Sequence, residues 1–355
     1  MTFSAADQEY MTRALHLATQ GLNTTTPNPY VGCVLVKDGV VVGEGWHERA
    51  GEPHAEAHAL RNAGEAARGA TAYVTLEPCA HHGRTPPCAD ALIDAGVVRV
   101  VAAMRDPNPL VSGEGVARLE LAGVAVEVGL MEEDAGKLNV GFVSRMTRGR
   151  PWVRVKVAAS LDGKTALLNG RSQWITGPEA RRHAHAWRAR SCAIMTGSGT
   201  VLDDDPSLTV REVPCTRQPR RVVIDGRLQT PPNARVLQGD GALIFAGDVG
   251  HLPNAEVVAM SAGAGRVDLP RVIDELGRRG VNELMVEGGS RLNGALLRAG
   301  LVDELLIYQA PILIGAQARD MFELPEVLDL AEARRLDVVE RRVLGPDIFL
   351  RARLG

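Results

Sequence analysis

Hydrophobic and polar positions alternate at the start of the second half of the chain. From Trp152 to Ala158, a valine occupies every second position beginning at Val153, and Arg154 and Lys156 stand between them. This period of two predicts a strand with its valines on a core face and its polar residues on the other face. Apolar runs predict further strands at Cys192–Met195, Arg221–Ile224, Ala242–Phe245, Leu284–Glu287 and Glu304–Ala310, and helices at Pro178–Ala189, Pro270–Arg279 and Ser290–Ala299. Alternating strands and helices predict an α/β domain with its own sheet.

The first half of the chain follows a similar α/β pattern. It predicts, in order, a helix over Asp7–Gln20 ending at Gly21, strands at Val31–Lys37 and Val40–Glu44 around an Asp38-Gly39 turn, a helix from His54 through Ala67, a strand at Ala72–Leu76, a helix at Cys88–Ala95 and a strand at Val97–Ala103. The order β-β-α-β-α-β predicts a three-layer α/β domain that ends near Met146.

A short basic segment separates the two patterns. Residues 147–151 (TRGRP) are typical of a linker, and a length of 355 residues is typical of two domains. We therefore expect one domain over residues 1–146 and a second over residues 150–355.

Bulk composition narrows the class of protein. A net charge of −3 argues against a dedicated nucleic-acid binder, which carries a basic surplus. The first 21 residues lack the apolar core of a signal peptide, and no apolar run is long enough to span a membrane. The five cysteines are odd in number and widely spaced, which does not suggest a disulfide framework. We expect a soluble protein of the reducing cytoplasm.

The strongest chemical signal is His54-Ala55-Glu56 followed by Pro78-Cys79 and Cys88. One imidazole and two thiolates provide three zinc ligands and leave the fourth tetrahedral position for water, as in catalytic zinc sites. His-x-Glu followed by Pro-Cys and Cys is typical of zinc deaminases, in which the glutamate moves protons and is not a ligand. Zinc ionises water near neutral pH, and Glu56 is expected to carry the protons of the reaction.

A structural zinc site remains an alternative. It needs a fourth ligand, and His47, His58, His81 and His82 are candidates. A purely structural site has no need of Glu56, which favours the catalytic interpretation. The acid also lies at the wrong position for a His-Glu-x-x-His metalloprotease.

Two glycine-containing turns follow predicted strands in the second half. They are Gly197–Val201 and Glu287–Ser290, and the second opens a helix. A strand, glycines and a helix N-terminus form an anion site, which predicts nucleotide binding. The alternative is a pair of tight turns that need positive φ.

Longer motifs carry a family resemblance. They are Thr26–Cys33, Gly45–Glu56, Leu76–Cys88 and Asp106–Pro109 in the first half, and Lys156–Lys164, Ser172–Gly177, Gly199–Val201, Asp204–Pro206 and Val286–Gly289 in the second. Together they resemble the bifunctional riboflavin-biosynthesis deaminase/reductase family, and the eight residues between Cys79 and Cys88 fit that family. The match covers nearly the whole chain.

The resemblance implies a fold and two reactions. The fold is an N-terminal cytidine-deaminase-like three-layer domain with a C-terminal dihydrofolate-reductase-like domain. The first reaction is the zinc-dependent hydrolytic deamination of a diaminohydroxy-pyrimidine that carries a phosphoribosylamino group. The second is the NADPH-dependent reduction of the ribosyl group to ribityl.

The resemblance also implies substrate contacts in the deaminase half, at Asn28, His47, Arg84, Asn108 and Ser112. Asparagine and histidine can read a pyrimidine edge, and the guanidinium of Arg84 can pair with a phosphate. Each residue alone could instead stabilise a loop.

In the reductase half the implied contacts are more numerous. Cofactor positions are Ala158, Trp174, Thr200, Asp204, Gly226, Glu287, Gly289, Ser290, Arg291, Leu292, Asn293, Gly294 and Ala295, and substrate positions are Ser172, Arg188, Leu208 and Arg211. Gly226 departs from the Ser or Thr usual in the family, which implies the loss of one hydrogen bond to the cofactor phosphate.

Hydride transfer to C1′ of the ribosylamine opens the sugar ring, and the ring oxygen then needs a proton. Lys156, Asp204 and Glu287 are the candidates for this acid–base work. The alternatives are an acidic turn at Asp203-Asp204-Asp205 and a strand lysine paired with an acid.

Two other classes of protein compete with this interpretation. One is a single-activity deaminase of nucleosides or tRNA with a regulatory second domain, and the other is a zinc-stabilised binding module without catalysis. The apolar strand at Leu305–Tyr308 and the family resemblance both predict a homo-oligomer. The resemblance also implies a small-molecule substrate.

Overall fold

A computed structural model describes residues 3–80, 87–109 and 111–354 of the chain. The chain divides into two compact units between Gly149 and Arg150. Each unit has its own sheet and its own hydrophobic core. Across the described ranges, no helix is both long enough and apolar enough to cross a membrane.

Helices and strands alternate through the first unit. Its elements within the described residues are α1 (Ala5–Ala18), β1 (Gly32–Lys37), β2 (Val40–Trp46), α2 (Ala55–Ala63), β3 (Thr71–Val74), α3 (Cys88–Asp94), β4 (Arg99–Ala102), α4 (Glu114–Leu121), β5 (Ala125–Val128), α5 (Glu132–Leu138) and α6 (Val140–Arg148). The sheet order is β2-β1-β3-β4-β5, with β1 antiparallel to both of its neighbours and β3, β4 and β5 parallel.

Two glycines show that helices cover both faces of this sheet. A Cβ atom on Gly32 would lie 2.0 Å from the carbonyl oxygen of Ala14 on α1. A Cβ on Gly45 would lie 2.5 Å from the carbonyl oxygen of Ala55 on α2. Gly45 pairs with Cys33, the residue after Gly32, so the two glycines face opposite sides of the sheet. The three-layer prediction is therefore confirmed.

The predicted element order was incomplete in this unit. It lacked β5 and the three helices α4, α5 and α6. The helix expected to continue to Ala67 ends at Ala63 and is followed by a 3₁₀ turn over Gly64–Ala67. The first part of the expected linker belongs to α6, which ends at Gly149 because that residue adopts the left-handed conformation.

The second unit is built on a larger sheet. Its elements within the described residues are β6 (Trp152–Ser160), β7 (Lys164–Ala166), α7 (Pro178–Arg190), β8 (Ala193–Gly197), α8 (Ser198–Asp204), β9 (Arg220–Ile224), β10 (Ala242–Ala246), β11 (Ala255–Ala259), α9 (Leu269–Arg278), β12 (Glu283–Val286), α10 (Ser290–Arg298), β13 (Glu304–Ala310), β14 (Arg319–Asp320), β15 (Leu336–Leu344) and β16 (Asp347–Leu354).

The large sheet has the order β11-β10-β9-β8-β12-β6-β13-β16-β15 among the described residues. The first seven strands in this order, β11-β10-β9-β8-β12-β6-β13, are parallel to one another. Strand β16 then pairs antiparallel with β13, and β15 pairs antiparallel with β16 as a hairpin. The strand predicted from alternation and the five predicted from apolar runs all lie in this sheet. The prediction missed β11 and the hairpin, whose exposed positions carry many charges.

The place of β13 changes the argument for self-association. This strand lies between β6 and β16. Leu305, Leu306 and Tyr308 are buried in the core, so these three side chains give no support to an interface on β13.

The predicted polar face of β6 contains one fully buried charge. Arg154 is only 2% exposed, and its guanidinium pairs with Glu283 on β12 and Glu304 on β13, which are each 1% exposed. Burial by itself raises the pKa of Glu283, but the charges of Arg154 and Arg190 outweigh burial and hold that pKa at about 2. Arg154 can therefore occupy a buried position of the alternating pattern, because Glu283 and Glu304 neutralise its charge within the sheet.

Removal of Arg154 is expected to destabilise the protein strongly. The variant Arg154→Met leaves two buried carboxylates without their main partner, which costs about 3–5 kcal/mol of unfolding free energy. The control Arg220→Met breaks an exposed pair with Glu256 and costs about 0–1 kcal/mol. Urea unfolding of the full chain, followed by tryptophan fluorescence, measures both. Equal midpoints for the two variants would contradict the expectation.

Candidate active sites

Three elements of the first unit bring one imidazole and two thiols together. His54 is the N-cap residue of α2, Cys79 follows the end of β3, and Cys88 is the first residue of α3. The Nδ1 atom of His54 lies 3.3 Å from Sγ of Cys88 and 3.6 Å from Sγ of Cys79. These separations are close to the roughly 3.5 Å expected between ligands of a tetrahedral zinc ion. The three residues therefore fit zinc in both chemistry and geometry.

One of the two thiols, that of Cys79, readily loses its proton. A hydrogen bond from the Cys88 thiol lowers the pKa of Cys79 to about 4, and the Cys88 backbone N–H also donates to that sulfur at 3.4 Å. A lowered pKa favours the thiolate, which is the form that binds metal.

A structural zinc site would need a fourth protein ligand beside His54, Cys79 and Cys88, and the described residues do not provide one. Among the described residues, the cluster of potential ligands contains His54, Cys79 and Cys88 and no further member. Both ring nitrogens of His47 have other partners, and His58 does not join the cluster. His81 and His82 lie outside the described residues. The described geometry therefore favours a three-ligand site.

Glu56 lies in the first turn of α2, two residues after the histidine. Its carboxyl is buried, and its Oε2 atom has no hydrogen-bond partner among the described residues. Burial raises the pKa of this carboxyl. A buried oxygen without a protein partner is costly unless it serves a ligand or a reaction.

His47 and Asn28 form a fixed polar pair beside the cluster. The Nδ1–H of His47 donates to the carbonyl of Pro53 at 3.1 Å, which leaves Nε2 to accept from the Asn28 amide at 3.0 Å. Burial lowers the pKa of His47, so the ring is neutral near pH 7. The His47 and His54 rings meet edge to face with centroids 5.3 Å apart. The structure thus brings two residues of the implied substrate site next to the cluster.

Asn108 and Ser112 occupy the segment between β4 and α4. The Asn108 N–H donates to Asp106 at 2.8 Å, and the Ser112 N–H donates to the Asn108 carbonyl at 2.9 Å. Sequence reasoning missed Glu77, which accepts hydrogen bonds from the backbone of this segment. An acid directly before Pro78-Cys79 was the available signal. Arg84 lies outside the described residues.

In the second unit, Glu287 is the centre of a charged cluster. Arg188 of α7 donates to both of its carboxylate oxygens, and Nζ of Lys156 lies 3.9 Å from Oε2. Burial raises the pKa of Glu287, but the charge of Arg188 outweighs it and brings that pKa to about 2. Glu287 is therefore ionised at neutral pH and is a poor proton donor.

Lys156 is the better donor in this cluster. Burial lowers its pKa from the ordinary lysine value, which makes the ammonium a stronger acid. Its Nζ also lies 5.8 Å from the centre of the Tyr308 ring, which holds a cation over an aromatic face. Sequence reasoning missed Tyr308 because only the pairing of β6 with β13 brings it beside Lys156.

Two helix N-termini meet at the carboxyl ends of adjacent parallel strands. Gly197 is the N-cap of α8 after β8, and Gly289 is the N-cap of α10 after β12. A Cβ on Gly289 would come no closer than 3.9 Å to Thr200, so the surface there is open backbone. This cradle suits the phosphates of a dinucleotide. None of these glycines has the positive φ that the tight-turn alternative requires.

The other implied reductase residues belong to several elements and loops of the second unit. Ser172 donates to Asp204 at the end of α8 at 3.0 Å, and burial raises the pKa of Asp204. The backbone N–H of Arg211 donates to His185, and its guanidinium donates to Thr209. The remaining implied positions are Ala158 on β6, the 67% exposed Trp174, the buried Leu208, and Ser290, Arg291, Leu292, Asn293, Gly294 and Ala295 on α10.

Gly226 lies in a tight place. A Cβ atom there would lie 2.0 Å from the carbonyl oxygen of Gly265. The loop around Gly265 therefore leaves no room for a side chain at position 226.

The fold and the two sites define a class of protein: a zinc-dependent deaminase unit followed by a dinucleotide-dependent reductase unit. Residues 4–104 match the family model described as the cytidine and deoxycytidylate deaminase zinc-binding region, and residues 151–350 match that of the RibD C-terminal domain.

Full-length relatives agree with both matches. The chain is 52% identical to the riboflavin biosynthesis protein RibD of Escherichia coli K12, over 97% of this chain and 98% of the relative. It superposes on Acinetobacter baumannii RibD with a TM-score of 0.94, at 44% identity and 99% coverage of both chains. A Thermotoga maritima deaminase/reductase gives a TM-score of 0.89 at 35% identity, again covering 99% of both chains.

The chain belongs to the RibD family. It is a bifunctional deaminase and reductase of riboflavin biosynthesis that acts on small molecules, with Zn²⁺ and NADPH as cofactors.

Proposed function

We propose that residues 1–146 deaminate a diaminohydroxy-phosphoribosylaminopyrimidine and that residues 150–355 then reduce its ribosyl group to ribityl. The T. maritima relative is described as the deaminase and reductase of such phosphoribosylamino-pyrimidines. The single observation that carries the deaminase proposal is the buried Glu56 oxygen beside a three-ligand cluster.

In the deaminase unit, His54, Cys79 and Cys88 would hold zinc. When bound, zinc supplies the Lewis acidity that ionises water at neutral pH. Glu56 accepts one proton from the attacking water and gives it to the ring nitrogen. It then accepts the second proton from the new hydroxyl group, whose oxygen becomes the carbonyl, and gives it to the amine, which leaves as ammonia. Asn28, His47, Asn108 and Ser112 orient the pyrimidine, and Arg84 pairs with its phosphate.

In the reductase unit, the cradle formed by Gly289, Thr200 and the first turns of α10 holds the phosphates of NADPH. When bound, NADPH supplies the hydride that C1′ of the ribosylamine accepts. Lys156 gives its proton to the ring oxygen as the sugar opens, and the ionised Glu287 keeps Lys156 protonated and positioned. Asp204 is the second candidate for the proton donor, because burial raises its pKa.

Charge and surface support the remaining proposals. The net charge of −3 argues against a nucleic-acid substrate. Five free thiols suit a reducing cytoplasm. We assign self-association to the exposed hairpin of β15 and β16, where Val338, Val339 and Val343 are exposed.

One assay tests both reactions separately. The pyrimidine substrate is supplied to the zinc-loaded full chain, first without NADPH and then with it. Ammonia is expected in both cases, and NADPH oxidation only after ammonia release. Ammonia release without any NADPH oxidation would support a single-activity deaminase instead.

A larger residue in the cradle is expected to weaken NADPH binding. Gly289→Leu has room to fold because no atom lies within 3.9 Å of the added Cβ, but its side chain covers the N-terminus of α10. We expect the Kd for NADPH to rise by about tenfold or more, as a displaced phosphate contact costs over 1 kcal/mol. Fluorescence titration measures it, and Gly136→Leu, at an open position on α5, is the matched control. An unchanged Kd would remove Gly289 from the cofactor site.

A further inference from the structure

We propose that Glu77 is a positioning residue of the deaminase. Its side chain joins two parts of the site: the turn that contains Cys79, and the segment that contains Asn108 and Ser112. The inference deepens the proposed function, since it rests on the recognition role of Asn108. Glu77 directly precedes Pro78-Cys79 in sequence, so hydrogen bonds that hold its side chain also restrain the turn that contains a metal ligand.

Three backbone N–H groups converge on the Glu77 carboxylate. Oε2 accepts from Asp106 at 3.1 Å and from Gly113 at 3.0 Å, and Oε1 accepts from Val116 at 3.2 Å. The side chain is 3% exposed, so these bonds are protected from water. Asp106 and Gly113 bracket Asn108 and Ser112, and one buried carboxylate therefore fixes both ends of that segment.

The carboxylate also replaces a missing helix cap. Gly113 is the N-cap residue of α4 and has no side chain to satisfy the free N–H groups of the first turn. Glu77 accepts from the N-cap residue and from Val116, the third residue of the helix. A negative group at a helix N-terminus is also favoured by the helix dipole.

A second contact joins the same two parts without Glu77. A Cβ on Gly115 would lie 1.8 Å from the carbonyl oxygen of Pro78. The backbone of α4 therefore rests directly on the residue before Cys79, and only glycine permits that approach.

A third contact lies on the other side of Cys79. Arg118 of α4 donates to the carbonyl of Ala80 at 3.1 Å and pairs with Asp90 on α3. Because α3 begins at Cys88, helix α4 is connected to the surroundings of two of the three ligands. Helix α4 therefore contacts both the proposed substrate-recognition segment and the surroundings of the metal ligands.

The test compares Glu77→Gln, Asn108→Ala and the double variant in the zinc-loaded full chain. The amide of glutamine offers one acceptor oxygen in place of two, so at least one of the three N–H groups loses its partner. We expect the KM of ammonia release to rise about tenfold in Glu77→Gln, with zinc content and the reductase rate unchanged. We expect the double variant to raise KM by less than the product of the single effects, because both changes act on one segment.

Folding of the variant is checked on the same chain. The bound zinc reports whether the deaminase unit of Glu77→Gln is folded, and a purely structural role would lower the zinc content together with the deaminase kcat. If Glu77→Gln does not fold, Glu77→Asp gives the decision, because its shorter carboxylate keeps the charge but cannot reach all three N–H groups, and it is also expected to raise KM. Glu65→Asp, at an exposed acid just after α2, is its control.

The outcomes separate the two proposals. A wild-type KM in folded Glu77→Gln, or in folded Glu77→Asp where the first does not fold, overturns the positioning role whatever Asn108→Ala does. If Asn108→Ala leaves KM unchanged, the recognition role of Asn108 fails, while a raised KM in Glu77→Gln still supports the positioning role.

Discussion

Glu56→Gln is expected to stop ammonia release while the protein keeps its zinc and its reductase activity. Glutamine has the same size as glutamate but cannot take up and return a proton in the reaction. Loss of a positioned acid–base group costs about 10²–10⁴-fold in rate, and we expect the upper part of this range because Glu56 handles every proton of the deamination. Ammonia release is measured with the pyrimidine substrate, and zinc by elemental analysis.

The reductase provides an internal reference for this variant. NADPH oxidation with the already deaminated pyrimidine is expected to proceed at the wild-type rate. Glu65→Gln, an exposed acid just after α2, is the matched control and should leave both rates unchanged. Ammonia release by Glu56→Gln at a rate near that of the wild type would refute the assignment and favour a zinc-stabilised binding role.

Lys156→Met is expected to remove most of the reductase rate and to leave ammonia release intact. Methionine fills a similar volume beside Glu287 but has no proton to give. We expect NADPH oxidation to fall by about 10²–10⁴-fold, with an unchanged Kd for NADPH if the residue acts on the sugar and not on cofactor binding. Lys164→Met is the matched control, since the Lys164 ammonium pairs with Asp320 on the small two-stranded sheet.

The pH profile distinguishes a proton donor from a fixed charge. A donor is active below its pKa and inactive above it, so the reductase rate should fall as pH rises through the pKa of Lys156. Burial lowers that pKa, which places the decline at a lower pH than an ordinary lysine would give. Lys156→Arg keeps the charge with a much higher pKa and should lose the decline. If the decline persists in Lys156→Arg and disappears in Asp204→Asn, Asp204 is the donor.

Much of the deaminase site could be predicted because its chemistry is local in sequence. His54 and Glu56 are two residues apart on one helix start, and the two cysteines follow one strand. One imidazole and two thiolates beside a carboxylate that is not a ligand suit a catalytic zinc site, so this short motif alone indicates the chemistry.

The missed residues depend on contacts between distant segments. Glu77 resembles any acid near a turn until the first turn of α4 is seen to donate hydrogen bonds to it. Arg154 was assigned to a polar face because alternation alone cannot show that Glu283 and Glu304 on neighbouring strands neutralise it. The role of Tyr308 and the β15–β16 hairpin were missed for the same reason, because local periodicity does not show which strands pair with one another.

The pairing of β6 has a consequence for the order of events during synthesis. This strand is the first of its unit to leave the ribosome, yet its two neighbours in the sheet are β12 and β13, near the other end of the chain. Most strand pairs of the first unit, by contrast, join segments made close together in time. Such distant pairing delays folding. The nascent deaminase can therefore close around its metal while the reductase still waits for its last third to be translated.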